Sequence, residues 1–143
     1  MPVFWSEDKK IINKLVAGSY DQYKGSFHPQ NEVLIIWSSG TEPGQVSLQI
    51  PADYNAMLYL IRGSAKINGF GNIESEHLAV LSNSGDTLEL ETLEDGTQFI
   101  LLSGLPIGEP VTQQGPFVMN TSTEVLEAMR DYQMGKIGIL IED

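Results

Sequence analysis

From residue 33 onward, short apolar runs return about every ten residues, at 33–37, 46–50, 57–61, 65–67, 78–81, 87–91 and 99–102. Between them lie the turn-rich breaks SSGTEPG (38–44), PADYN (51–55), NGFGN (68–72), SNSGD (82–86) and EDG (94–96). Gly, Pro, Asn and Asp supply the dihedrals that tight turns need. Many short strands at even spacing predict an all-β sandwich or barrel. Two runs alternate cleanly, Val46, Leu48 and Ile50 against Ser47 and Gln49, and Leu88 and Leu90 against Glu89 and Glu91. Such a period of two marks strands with one buried and one solvated face.

A single helix is predicted near the end. Thr121 with Glu124 three residues on forms a capping box, and Gly135 closes the helix after Tyr132 and Met134. Val125, Met129 and Tyr132 fall on one apolar stripe, which must lie on the chain's own barrel or on a neighbour. The apolar tail 137–141 is expected to dock within the chain rather than pair with another. Residues 1–30 are more polar and mixed and read as a lead-in segment, leaving 31–143 as a barrel with its C-terminal helix, one domain overall.

Composition narrows the function. At 143 residues the chain is long enough to bury a real core. A net charge of −11 and a pI near 4.4 repel phosphate backbones and anionic lipid, which argues against direct nucleic-acid or membrane-surface binding. Without cysteine there is no disulfide, thiolate zinc site, iron–sulfur cluster or cysteine nucleophile. The start, MPVFWSEDKK, has no basic region followed by an apolar run, and no stretch approaches the ~20 apolar residues of a membrane span, so a cytoplasmic location is expected.

Candidate chemistry is thin. His28 and His77 belong to no HxH or HExxH spacing, and a strand would send Glu76 and His77 to opposite faces, leaving the segment Glu74 to His77 a solvated turn. Glu89, Glu91, Glu94 and Asp95 read as a solvated face rather than an acid–base pair, which would need burial to raise one pKa. GSAK (63–66) and GSF (25–27) are not nucleophile elbows, and the GFG turn at Gly69 and Gly71 precedes no helix. No catalytic, metal-binding or cofactor-binding set emerges, and no cofactor is expected.

One stretch is specific. The words EPV, GPFVMNT and DYQxGKxG in GLPIGEPVTQQGPFVMNTSTEVLEAMRDYQMGKIG (104–138) closely resemble the end of pirin-like proteins. Upstream, IPADYNAMLYLIRGSAKING resembles that family's strand pair, and HLAVLSNSGDTLELET its LxxGD strand, so the resemblance covers roughly residues 30–138. It implies a cupin-type double-stranded β-helix, or jelly-roll barrel, of the C-terminal kind. Pirins carry two such barrels with iron in the N-terminal one; some act as quercetin 2,3-dioxygenases and others as transcriptional coregulators.

A cupin iron site needs imidazoles and a carboxylate converging from facing strands. Placed against Gly63 and Gly85–Asp86, the metal motif of the resembled fold puts its ligands at Gln49, Pro51, Gln98 and Ile100, and a slip of one residue brings Ile50, Ala52 or Phe99. None of these makes an iron site. The expectation is therefore a metal-free pirin-like cupin with a structural, protein-interaction or small-ligand-binding role. The alternative is part of a quercetin 2,3-dioxygenase-type pirin whose iron lies in a separate N-terminal barrel. Gln49 and Gln98 are the candidate polar groups of a barrel pocket. Val125, Met129 and Tyr132 are the candidate interface of a homodimer, or of contact with a second cupin domain.

Overall fold

The computed structural model describes residues 1–27 and 29–138. Where one domain is expected, the chain divides into two compact units, Met1–Pro106 and Ile107–Asp143. The division falls in LPIGEP, where Pro106 and Pro110 lack a strand-forming N–H and Gly108 takes a φ of +72°.

The first unit contains twelve strands: β1 (Val3–Trp5), β2 (Ile11–Ala17), β3 (Ser19–Tyr20), β4 (Tyr23–Lys24), β5 (Val33–Gly40), β6 (Gln45–Gln49), β7 (Asn55–Arg62), β8 (Ser64–Ile67), β9 (Gly71–Glu74), β10 (His77–Val80), β11 (Thr87–Thr92) and β12 (Gln98–Gly104). They form an antiparallel six-stranded sheet, β1-β2-β5-β12-β7-β10, and a four-stranded one, β6-β11-β8-β9, with β3 and β4 as a small hairpin. One hydrophobic core draws on both sheets, with Ile11, Leu15, Ile36, Leu58, Leu60, Phe99 and Leu101 from the first and Leu48, Leu88, Leu90, Ala65 and Ile67 from the second. Each of the seven predicted runs lies in or overlaps one strand, from β5 to β8 and from β10 to β12.

The lead-in reading of residues 1–30 is corrected. Strand β2 lies inside the six-stranded sheet between β1 and β5, and its Ile11 and Leu15 are fully buried. Asn13, midway along it, interrupts the apolar alternation without leaving the core: its Oδ1 accepts a 2.7 Å hydrogen bond from Ser38 Oγ on β5, and both residues are fully buried. Among the described residues Asn13 Nδ2 is the one buried side-chain polar atom without a partner.

Asp8 clasps the two sheets together. Its carboxylate accepts hydrogen bonds from Ser6 Oγ (2.5 Å) and the Lys10 amide (3.1 Å) in the β1–β2 turn, and from the Gln45 amide (2.7 Å) at the start of β6. Burial alone would raise its pKa, but these bonds and the Lys10 charge outweigh it and hold the carboxyl below its ordinary value.

The second unit is the hairpin β13 (Thr112–Gln114) and β14 (Phe117–Met119) with helix α1 (Ser122–Gln133) on it. Gly115, at φ +57°, opens the two-residue hairpin loop ahead of Pro116, as a turn with a left-handed first position demands. Asn120 Nδ2 donates to Glu109 Oε2 (3.1 Å) and to the Pro110 carbonyl (2.9 Å). Thr121 then caps α1, with its Oγ1 accepting from the Glu124 amide at 3.3 Å while Glu124 Oε2 accepts from the Thr121 amide at 2.8 Å. At the other end Met134 is the C-cap and Gly135 follows at φ +69°. The expected docking strand at 137–141 falls mostly on 139–143, outside the described residues. No helix among the described residues is long and apolar enough to cross a membrane.

Candidate functional site

The barrel interior is the first place to look for chemistry, and the strand parity decides what it holds. On β6, Val46 and Leu48 are buried, so Gln49 points outward and is exposed. Its amide N–H donates to Tyr20 Oη at 3.1 Å, and its Oε1 accepts from Thr87 Oγ1 at 3.3 Å. On β12, Phe99, Leu101 and Ser103 face inward, so Gln98 and Ile100 face outward. Pro51 is exposed beyond the end of β6. The pairing of Gln49 with Gln98 as pocket groups is therefore corrected: a one-residue step along a strand reverses the face, and both lie outside the barrel.

The inward neighbours of those positions, Ile50 and Phe99, are buried hydrocarbon. His77, at the start of β10, is exposed, and its Nδ1 sits 3.0 Å from the Ser75 carbonyl. Glu76 before it adopts φ +65°, so the segment 74–77 is a tight turn, not a ligand cluster. His28 lies outside the described residues, among which no group of three His, Cys, Asp or Glu is placed to hold a metal ion. The positions where the resembled fold would carry iron do not fit it.

Open space occurs in two adjoining clefts that share Asn68 and Glu89. One cleft of about 840 Å³ is floored by Ile50, Ala56, Ile67 and Leu88 and rimmed by Tyr54, Phe70, Asn83 and Glu89. Another of about 640 Å³ lies at the Asp8 seam, with Phe4, Trp5, Tyr20, Lys66, Glu89 and Glu91 on its walls. Phe4 stacks on Tyr20 with ring centroids 4.8 Å apart, which packs that wall. On the rim of the first cleft, Tyr54 Oη donates to Glu32 Oε2 at 3.1 Å, and burial first, then this bond and the nearby carboxylates, raise the phenol pKa above its ordinary value.

The outer face of the six-stranded sheet differs from that of any ordinary solvated sheet. Cross-strand register lines up Val3, Lys14, Trp37, Ile100, Tyr59 and Leu78 in one row, and Ile35, Leu102, Met57 and Val80 in the next. Leu78 is 52% exposed and Val80 78%. Lys14 lays its ammonium over the Trp37 ring, 4.7 Å from the centroid. The runs VLIIW, MLYLI and FILL in β5, β7 and β12 carry the signal: they are apolar without alternation, as strands covered on both faces are. The four-stranded sheet instead turns Ser47, Gln49, Lys66, Glu89 and Glu91 outward.

The helix stripe resolves differently from its expected role. Val125 is buried at 1% exposure, so it is not an open interface residue, and Met129 is half-buried. Tyr132 is exposed and meets Phe117 of β14 edge-to-face at 6.1 Å. Capping fixes the start of the helix, and the Gly115 turn sets the hairpin under it.

Two antiparallel sheets closed around one core, followed by a capped helix, define a cupin barrel. Residues 39–138 match the pirin C-terminal cupin domain. The chain belongs to the pirin family. It is 39% identical over 103 residues to a pirin-like protein of Solanum lycopersicum, covering 68% of this chain and 34% of that one. With pirin of Mus musculus it is 38% identical over 96 residues, 64% of this chain and 33% of the relative. A crystal structure of a quercetin 2,3-dioxygenase from Acinetobacter baumannii superposes with a TM-score of 0.89 at 28% identity, covering 98% of this chain and 48% of that one. The chain thus spans a third to a half of the length of these proteins.

Proposed function

We propose that this chain is a metal-free pirin-type barrel whose role is structural: it pairs with a second cupin barrel rather than carrying out oxygen chemistry itself. The observation that carries this reading is the composition of the interior, where aliphatic side chains and Phe99 fill most inward positions, the buried polar ones being Asn, Ser and Thr, and Gln49, Gln98 and Ile100 point away. Iron held by a cupin needs imidazole and carboxylate donors converging in the barrel, and such donors are missing from these positions. Metal analysis of the purified protein, after loading with ferrous iron and desalting, is expected to show well under one equivalent. A stoichiometric, slowly exchanging iron would overturn the reading.

A second reading is favoured by the match to half of the quercetin 2,3-dioxygenase chain. Here the barrel is the metal-free half of a dioxygenase whose iron sits in a separate barrel. The chain alone is then inactive towards quercetin with added iron, and activity appears only when an iron-bearing cupin is supplied. Turnover by the chain alone would exclude both readings.

A further inference from the structure

We infer that the outer face of the six-stranded sheet is a self-association surface, and that its occupant is the same face of a second copy of this chain. This builds on the reading of the chain as a pairing module and names the partner.

Three observations support it. First, the face is apolar where a solvated sheet would be polar: Trp37, Ile100, Tyr59 and Leu78 adjoin in one row, with Leu102 and Met57 beside them. Second, the chain carries 19 Asp and Glu, yet no outward position of β1, β2, β5, β7, β10 or β12 is a carboxylate. In a molecule of net charge −11, this is the face on which two copies approach without setting carboxylate against carboxylate. Third, the size is sufficient. Six strands at ~4.8 Å spacing, the longest of eight residues at ~3.4 Å each, give a face of roughly 600 Å² once the short β1 and β10 are allowed for. Two such faces bury roughly 1,200 Å², which reaches the range of stable protein interfaces.

A two-fold axis near Trp37 and Ile100 brings each row against its own counterpart, as an isologous dimer requires. Packing at the ~10 Å separation of stacked sheets interdigitates Trp37, Ile100 and Tyr59 with their copies. Lys14, held over Trp37, has an aliphatic stem that joins the contact while its ammonium reaches the rim. Because the remaining surface is strongly acidic, added salt screens the repulsion between copies and tightens the dimer.

Sedimentation velocity on the whole chain between 1 and 100 μM, at low and at moderate salt, tests the inference. The expected species has twice the 15.8 kDa chain mass, with a dissociation constant that falls as salt rises. Ile100→Lys is expected to weaken it at least tenfold with an unchanged circular dichroism spectrum. Should that variant not fold, Val80→Lys, at a position already 78% exposed, serves in its place. Leu126→Lys, on the helix and 61% exposed, is expected to leave the dimer intact. A wild-type monomer at 100 μM overturns the inference, as does a dimer abolished by Leu126→Lys but not by the sheet variants. A monomer that pairs only with an iron-bearing barrel also overturns it while leaving the structural role standing, and metal content tests that role separately.

Discussion

Gly63 lies where the chain leaves β7 of the six-stranded sheet and enters β8 of the four-stranded one, and its φ is +81°. A Cβ there would stand 2.4 Å from Thr97 Oγ1 and 3.0 Å from Thr97 Cα. Thr97 is fully buried and donates to the Glu94 carbonyl at 2.7 Å, so it has nowhere to retreat. Gly69 has nearly the same φ, +78°, with nothing within 4 Å of its would-be Cβ. The pair therefore separates backbone strain from packing. Gly69→Ala suffers the left-handed penalty of about 1–2 kcal/mol, partly offset by about 0.4–1 kcal/mol from a stiffer unfolded chain, and nets about 1 kcal/mol of loss. Gly63→Ala suffers the same and also displaces a buried threonine; overpacking of that kind costs about 1–3 kcal/mol and the strained hydrogen bond about 1 more. The expected total is about 3–5 kcal/mol. Urea unfolding followed by circular dichroism reads both, and with a slope of about 1–3 kcal/mol per molar the two midpoints should differ by about 1 M or more. Equal midpoints would refute the claim that contact with Thr97, beyond the dihedral, demands glycine at this corner.

Further outcomes follow from the caps and clasps. Thr121→Ala removes the capping box and should cost the second unit about 1 kcal/mol, seen as faster hydrogen exchange in the first turn of α1; unchanged protection there would count against the cap. Asp8 has a lowered folded pKa, so its contribution is complete above the ordinary carboxyl value and is lost as pH falls through the folded one. The stability gap between wild type and Asp8→Ala should accordingly be constant near neutrality and close below about pH 4; a gap that widens in acid contradicts the clasp. Ser38→Ala strands the buried Asn13 Oδ1 alongside its unpartnered Nδ2. It should cost about 1–3 kcal/mol, whereas the double change Asn13→Leu with Ser38→Ala should recover most of that loss; additive losses in thermal unfolding would argue that the pair matters only for shape.

The strands that could be read from the chain are those whose pattern is strong. Val46, Leu48 and Ile50 announce β6, and Leu88 and Leu90 announce β11, through alternation alone. The strand β2 stayed hidden because Asn13 occupies an inward position, and a buried amide whose oxygen is bonded by Ser38, 25 residues away, leaves no local trace. Strand β9 was hidden by the turn residues around Gly69 and Gly71, since only Ile73 faces the core. For the candidate site, the same alternation that announces β6 also sends Gln49 outward, so its true orientation was written in the neighbours Leu48 and Ile50. The apolar outer face was legible too, in the unbroken runs of β5, β7 and β12. What no local pattern could reveal is their cross-strand register, which joins separate runs into one surface. The family words GPFVMNT have a structural account: Gly115 turns the hairpin, Asn120 ties it to Glu109 and Pro110, and Thr121 starts the helix.

The uneven dress of the two sheets also gives the barrel a polarity. Glu74, Glu89 and Glu91 lie on the outer side of the four-stranded sheet, while the opposite outer surface offers Lys14 and no carboxylate along its strands. Such a unit has a dipole component directed from one sheet to the other. On a cationic support, and at dilutions where no second copy covers the tryptophan side, it would settle with the glutamate side down, so an adsorbed layer would present a more water-repellent surface than its composition suggests.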